Sequence, residues 1–178
     1  LEEKKEQVLS SIEEQGQLTE ELKAKILAAE TMVLVDDLYR PYRPKRKTRA
    51  SVAKEKGLEG LANHIWLQYA KEDVLIEAAK YISEEKGVES AEEALQGAKD
   101  ILAENISDEA DYRTYIRNFT MKEGTLLSEA KDAEAESVYE MYYNYQEPLK
   151  KVAGHRVLAL NRGEKEKVLT VKVNTIDE

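Results

Sequence analysis

The chain reads as all-α or mostly α, a multi-helix domain, and three observations carry that reading. Glu, Lys, Ala and Leu, all strong helix formers, dominate its 178 residues. Only three prolines and eight glycines interrupt it. Segments with apolar residues every three or four positions, several opened by a capping residue, follow one another over most of its length. An apolar content of 42% fits a packed core better than disorder, although a charged content of 35% is high.

Taken in order, Leu1 to about Gln15 forms an amphipathic helix (Leu1, Val8, Leu9, Ile12) that stops near Gly16. Thr19 caps a second helix, with Glu20 and Glu21 in the first turn, where the helix dipole favours anions. Leu22, Ile26 and Leu27 give it an apolar stripe. Met32 to Tyr39 is a third helix and runs into Pro41 and Pro44. Each proline biases the residue before it away from the helical region, so Arg40 to Lys47 is expected as an extended loop.

Helices resume at about Ser51, with Val52, Ala53, Leu58, Leu61, Ile65 and Trp66 facing inward and Gly57 marking a tight turn. Asp73 to Ser83 is a further helix, and Ser90 with Glu93 forms a capping box that opens another. Ser107 to about Phe119 follows, with Tyr112, Tyr115, Ile116 and Phe119 at helical spacing. Gly124 to Ala135 has no readable period. Val138 to Tyr145 is expected as a tyrosine-rich helix ending before Pro148. Val168 to Val173 alternates apolar and polar and contains three valines, so it is the expected strand, with a partner that is absent or hidden. The opening in mid-helix on Leu1 and this lone strand point to an excised piece of a larger protein. The expected division is a helical domain over residues 1–160 and a linker and strand over 161–178.

Composition narrows the function. Without cysteine there is no disulfide, thiolate metal site or cysteine nucleophile. No run of 18 apolar residues spans a bilayer and no signal-peptide pattern opens the chain, so a cytoplasmic protein with no membrane partner is expected. Net charge is −9, from 27 basic and 36 acidic residues. From Leu38 to Lys54, however, there are seven basic residues and no acid. The rest of the chain keeps the other 20 basic residues against all 36 acids, or −16. A basic patch on an acidic body is the most informative electrostatic feature.

Catalysis is not expected. His64 sits in an apolar helical run beside Ile65 and Trp66, where a structural histidine is the ordinary case. No phosphate-binding glycine loop, nucleophile elbow or zinc-protease signature occurs, and no cofactor or metal is implied. Asp36 and Asp37 diverge by about 100° on a helix, cannot grip one metal together, and read as surface acids. The segment from Tyr39 to Arg49 differs. Arg40, Arg43, Lys45, Arg46, Lys47 and Arg49 interleave with Tyr39 and Tyr42 on a proline-stiffened loop, which suits phosphate pairing with aromatic stacking. The opposing reading is that these cations pair with the acidic body while the tyrosines plug the core. The residues alone leave both open. Ser51 to Leu58 is helix-turn-helix-like, but Asn63 stands where that motif wants an apolar residue. Tyr139, Tyr142, Tyr143 and Tyr145 could stack bases, although their spacing is that of packing residues.

Four segments in order resemble one family. They are Ser11 to Thr19, Asp37 to Tyr42 continued through Lys45 to Arg49, Gln96 to Leu102, and His155 to Ala159 with Asn161 to Glu164. Together they look like the N-terminal region of the Tex family of bacterial transcription accessory proteins. The resemblance spans essentially the whole chain. It implies a large parent in which this helical region precedes an RNase-H-like domain, helix-hairpin-helix elements and an S1 domain that carries most nucleic-acid binding. It carries over no catalytic residue, and it marks Arg40, Arg43, Lys45, Arg46, Lys47 and Arg49 as candidate nucleic-acid contacts. The expected function is a non-catalytic helical scaffold that binds RNA or DNA weakly, near the transcription machinery. The alternative is a protein-interaction module docking an acidic partner of transcription or translation.

Overall fold

The computed structural model describes residues 1–68 and 73–175. The chain is mostly α-helical, and its contacts divide it into two compact units, Leu1–Arg113 and Thr114–Glu178.

The first unit begins with α1 (Glu2–Glu14), α2 (Glu20–Ala28) and α3 (Met32–Tyr39). Thr19 and Thr31 accept from the amides of Leu22 and Leu34, so α2 and α3 each start on a side-chain cap. Gly16, at φ +68°, turns the chain out of α1 in a conformation that glycine adopts without strain. Val8, Ile12, Ile26 and Val35 close over one another as a small core. Lys5 is buried beside them and donates from Nζ to the Leu27 carbonyl at 2.8 Å, satisfying an acceptor in the last turn of α2.

The rest of that unit is α4 (Arg49–Glu55), α5 (Glu59–Trp66), α6 (Val74–Ala79) and the 18-residue α7 (Ala91–Asp108). Helix α7 packs against α4, α5 and α6 over a core of Ala53, Leu58, Leu61, Ala78, Val88, Ala94, Ala98 and Ile101. Small residues face one another here, and Gly97 lets α7 approach closely enough to lie against Leu58 and Ala53. The Ser90 side chain accepts from the Glu93 amide as expected, and the Glu93 carboxylate accepts from the Glu89 amide.

Several expectations shift in this unit. Helix α6 ends at Ala79, well short of Ser83, because Ser83 and Val88 form a β-bridge around Gly87 at φ +67°. Helix α7 continues through Ser107 to Asp108, and α8 (Ala110–Glu123) starts after Glu109 turns to an extended conformation. Trp66, expected inward, is 51% exposed. Asp37, expected on the surface, is 4% exposed and accepts from Arg113 Nε at 2.6 Å, while Arg113 Nη1 donates to the Ser107 carbonyl.

The second unit is where the sequence misled most. Residues 124–135, without a readable period, contain β1 (Thr125–Ala130). The expected helix over Val138–Tyr145 is instead a single 3₁₀ turn, Glu140–Tyr142, followed by β2 (Asn144–Pro148). In β2 the alternate residues Tyr145 and Glu147 are half-buried and their neighbours exposed, a period of two that the tyrosine spacing had hidden. The expected strand is present as β3 (Leu169–Asn174), and its partner lies within the chain. Strand β1 is central, antiparallel to β2 on one side and to β3 on the other. Helix α9 (Gly154–Lys165) packs on β3 over a core of Leu126, Tyr139, Tyr142, Leu160 and Leu169. The expected boundary after residue 160 falls inside α9, and β3 belongs to the same compact unit as that helix. Tyr139 and Tyr142 are buried in this core, so they cannot serve as an open stacking platform.

Candidate nucleic-acid interface

The basic segment begins as a continuation of α3. Arg40–Tyr42 forms a 3₁₀ turn, not the extended loop expected, with the Arg43 amide donating to the Tyr39 carbonyl at 3.0 Å. Pro41 sits in the first turn, where its missing N–H is not needed and its fixed φ suits the helix. Residues 43–48 are then irregular, and α4 starts at Arg49, two residues earlier than expected. The cause is a reciprocal cap: Thr48 Oγ1 accepts from the Ser51 amide and Ser51 Oγ accepts from the Thr48 amide.

The cations lie over carboxylates. Arg40 Nε is 3.1 Å from Asp108, Lys45 contacts Asp108 and lies 3.6 Å from Glu104, and Arg49 Nε is 3.9 Å from Asp100. Asp100, Glu104 and Asp108 are spaced by four, which aligns them on one face of α7. Arg43 pairs with Asp36 at 3.1 Å with its guanidinium 5.4 Å from the Tyr39 ring centre, and Lys47 is 3.4 Å from Glu55. Arg46 has no carboxylate partner among the described residues and is exposed. Of the two readings the sequence left open, the geometry therefore displays the intramolecular pairing in detail.

Depth separates the two sets of charges. The Asp100, Glu104 and Asp108 side chains are 18%, 21% and 13% exposed, whereas the Arg40, Lys45 and Arg49 side chains over them are 44%, 31% and 87% exposed, and in the Arg43–Asp36 and Lys47–Glu55 pairs both members are exposed. The cations thus form the outer layer, and pairs this exposed hold each other by about 0–1 kcal/mol. An open hollow of about 430 Å³ lies among Arg40, Arg43, Lys45 and Arg46, with Glu104 and Asp108 in its wall. Sequence reasoning identified the cations but missed the acidic stripe on α7, although its four-residue spacing was available as a signal. In the helix-turn-helix-like element, α4 and α5 are joined through Gly57 at φ +78°. Asn63 is exposed on α5, while Leu61 and Ala62 supply its buried face.

A family model described as Tex central region-like matches residues 70–178. The chain belongs to the Tex family. It is 51% identical over 176 residues to the uncharacterized protein YdcI of Bacillus subtilis (strain 168), covering 97% of this chain and 24% of that protein. It is 39% identical over 174 residues to the transcriptional accessory protein Tex of Neisseria gonorrhoeae, covering 96% of this chain and 22% of that one. It is 29% identical over 186 residues to the S1 RNA-binding domain-containing protein 1 of Homo sapiens, covering 95% of this chain and 18% of that one. The chain thus spans between 18% and 24% of these relatives' lengths. Among the described residues no helix of this Tex-family chain is long and apolar enough to cross a membrane.

Proposed function

We propose that the chain is a non-catalytic helical scaffold within a larger transcription accessory protein, and that it meets RNA or DNA through weak, sequence-independent phosphate contacts. The contacts come from Arg40, Arg43, Lys45, Arg46, Lys47 and Arg49. The observation that carries the reading is the layering of charge along α7, where Arg40, Lys45 and Arg49 stand above the more deeply set Asp100, Glu104 and Asp108. A polyanion arriving from solvent meets guanidinium and ammonium groups first and displaces carboxylates that hold them only loosely. The names of the Tex-family relatives, one a transcriptional accessory protein and one an S1 RNA-binding domain-containing protein, support the class of partner.

A net charge of −9 opposes tight binding, so a dissociation constant of about 10⁻⁴–10⁻⁶ M at physiological salt is expected. Titration of the chain with RNA, DNA and an acidic peptide at several salt concentrations tests the reading. Counterion release by nucleic acid gives a steep linear dependence of log affinity on log salt. The combined change Arg43→Glu, Arg46→Glu and Arg49→Glu should abolish binding with little change in melting temperature, since all three residues are exposed. Nanomolar sequence-selective binding, or binding that survives the triple reversal, would contradict it. A second reading, docking of an acidic protein partner, draws on the same cation–carboxylate pairs. Tighter binding of the acidic peptide than of nucleic acid would select it.

A further inference from the structure

On the other side of the C-terminal half of α7 lies a second, more enclosed cleft of about 210 Å³. It is lined by Asn63, Trp66, Leu102, Asn105, Glu109 and Tyr112. Its chemistry differs from that of the basic loop. No cation lines it; instead there are two aromatic side chains, 51% and 44% exposed, an aliphatic wall and two carboxamides. Among the described residues neither the Asn63 nor the Asn105 amide has a hydrogen-bond partner, so donors and acceptors stand unused beside apolar surface. Large apolar rings beside a few unengaged polar groups are what a planar heterocyclic ligand requires.

The cleft is also continuous with the basic surface. Asn105 and Glu109 line it and at the same time line a hollow of about 560 Å³ that contains Arg43, Lys45 and Lys54. The hollow sets Arg43, Lys45 and Lys54 against Glu104, Asp108 and Glu109, whereas the cleft has no cation, so phosphate finds partners only on the hollow side and an uncharged ring suits the cleft. Glu109 lines both sides, and in the cleft its carboxylate offers an acceptor to a ring N–H.

We infer that this surface takes single-stranded nucleic acid, with phosphates on the Arg43, Lys45 and Lys54 side and one unpaired base seated against Trp66 and Tyr112. The inference rests on the reading above that the basic loop meets nucleic acid, and it deepens that reading by naming the form bound. A base held in a duplex presents only its edges and cannot offer its face to an aromatic side chain, whereas a single strand can.

Trp66 is the only tryptophan in the chain, so its emission reports on the cleft directly. The test titrates the full 178-residue chain with a fluorescently labelled mixed-sequence single strand and with its duplex, following Trp66 emission and label anisotropy together. The single strand should quench Trp66 saturably and the duplex should not. Trp66→Ala and Tyr112→Ala should each weaken single-strand binding about 5- to 100-fold, the usual range for one base–aromatic contact, while Trp66→Phe keeps most of it. Should an alanine variant fail to fold, Asn105→Ala, at an exposed position, is read in its place and should also weaken binding. Anisotropy showing binding with unquenched Trp66 and unaffected variants would overturn the cleft and leave the phosphate-contact reading standing. No binding of either form would overturn both. A change in Trp66 emission with protein concentration alone would assign the cleft to a second copy of the chain and likewise overturn the inference.

Discussion

Asp37 shows how far one residue can depart from its expected environment. Adjacent acids on a short helix read as a solvated pair, and Asp36 fits, half-exposed and shared by Lys4 and Arg43. Asp37, one position on, points to the other side of α3 and is buried against Arg113, 76 residues away in sequence. Arg113→Ala removes a close charge-assisted bond from a buried carboxylate, so it should destabilise the chain by about 2 kcal/mol in denaturant unfolding. Arg43→Ala, at an exposed pair, should cost less than about 1 kcal/mol. Equal effects would contradict the assignment. Ser128 is the opposite case. Its hydroxyl is buried in β1 with no hydrogen-bond partner among the described residues, so Ser128→Ala should leave the melting temperature unchanged or raise it. A fall of several degrees would show that the hydroxyl is engaged.

Glu147 gives a pH signature in the second unit. It accepts from the Tyr145 hydroxyl and, at 2.6 Å, from Arg156, and these contacts hold its carboxyl below the ordinary range. A carboxyl lowered by folding stabilises the fold above its unfolded value of about 4.3, and that stabilisation is lost as pH falls through the folded value. The melting-temperature gap between the natural chain and Glu147→Gln should therefore be full at pH 7, shrink as pH falls below about 4.3 and close once pH passes the lowered folded value. A gap independent of pH would contradict it.

At the scale of elements, legibility followed the local signal. Helices with a readable cap or stripe were legible: α2 and the start of α7 fall where Thr19 and Ser90 place them, and α3 spans Met32–Tyr39 as expected. Strands β1 and β2 were not. β1 alternates in burial, but Thr125-Leu126-Leu127-Ser128 shows no clean apolar alternation because the polar Ser128 shares the buried face with Leu126 while Leu127 lies on the other. In β2 the tyrosines at spacings of three and four imitate a helix, and only pairing with β1 reveals their two-residue period. The six candidate cations were legible as a cluster, because six like charges and two prolines in ten residues are a purely local pattern. Their partners on α7, 50 to 70 positions away, were not, since only the packing of α7 brings them together.

The same packing makes a prediction about Gly97. Within a helix, Gly→Ala ordinarily gains about 1 kcal/mol of propensity. Here a Cβ would collide with Leu58, which is 1% exposed and cannot yield, so Gly97→Ala should destabilise the chain, by roughly 1–3 kcal/mol. Thermal or denaturant unfolding decides by sign alone. A stabilised variant would mean that α7 does not lie as close to the α4–α5 turn as described.

For the whole molecule, the governing fact is charge. The chain is acidic overall, yet seven of its 27 basic residues stand between Leu38 and Lys54 with no acid among them, and the acids that answer Arg40, Lys45 and Arg49 are set deeper along α7. The acidic stripe pairs with the basic loop, and on the proposed function it also competes with phosphate for the same cations. The proposed function therefore predicts weak, salt-sensitive binding by a chain that represents between 18% and 24% of its relatives' lengths.

That competition supplies the most direct test of the proposed phosphate contacts. The measurement is a salt-dependent titration of a single-stranded oligonucleotide against the natural chain and against the double variant Asp100→Asn with Glu104→Gln. Both substitutions keep shape and remove only charge. A charge pair in contact is worth about 1 kcal/mol in water, so affinity should rise on the order of fivefold for each carboxylate neutralised, with the steep salt dependence retained. Unchanged or weakened binding in the double variant would contradict the account, because the cations over α7 would then not be the groups that hold the phosphates.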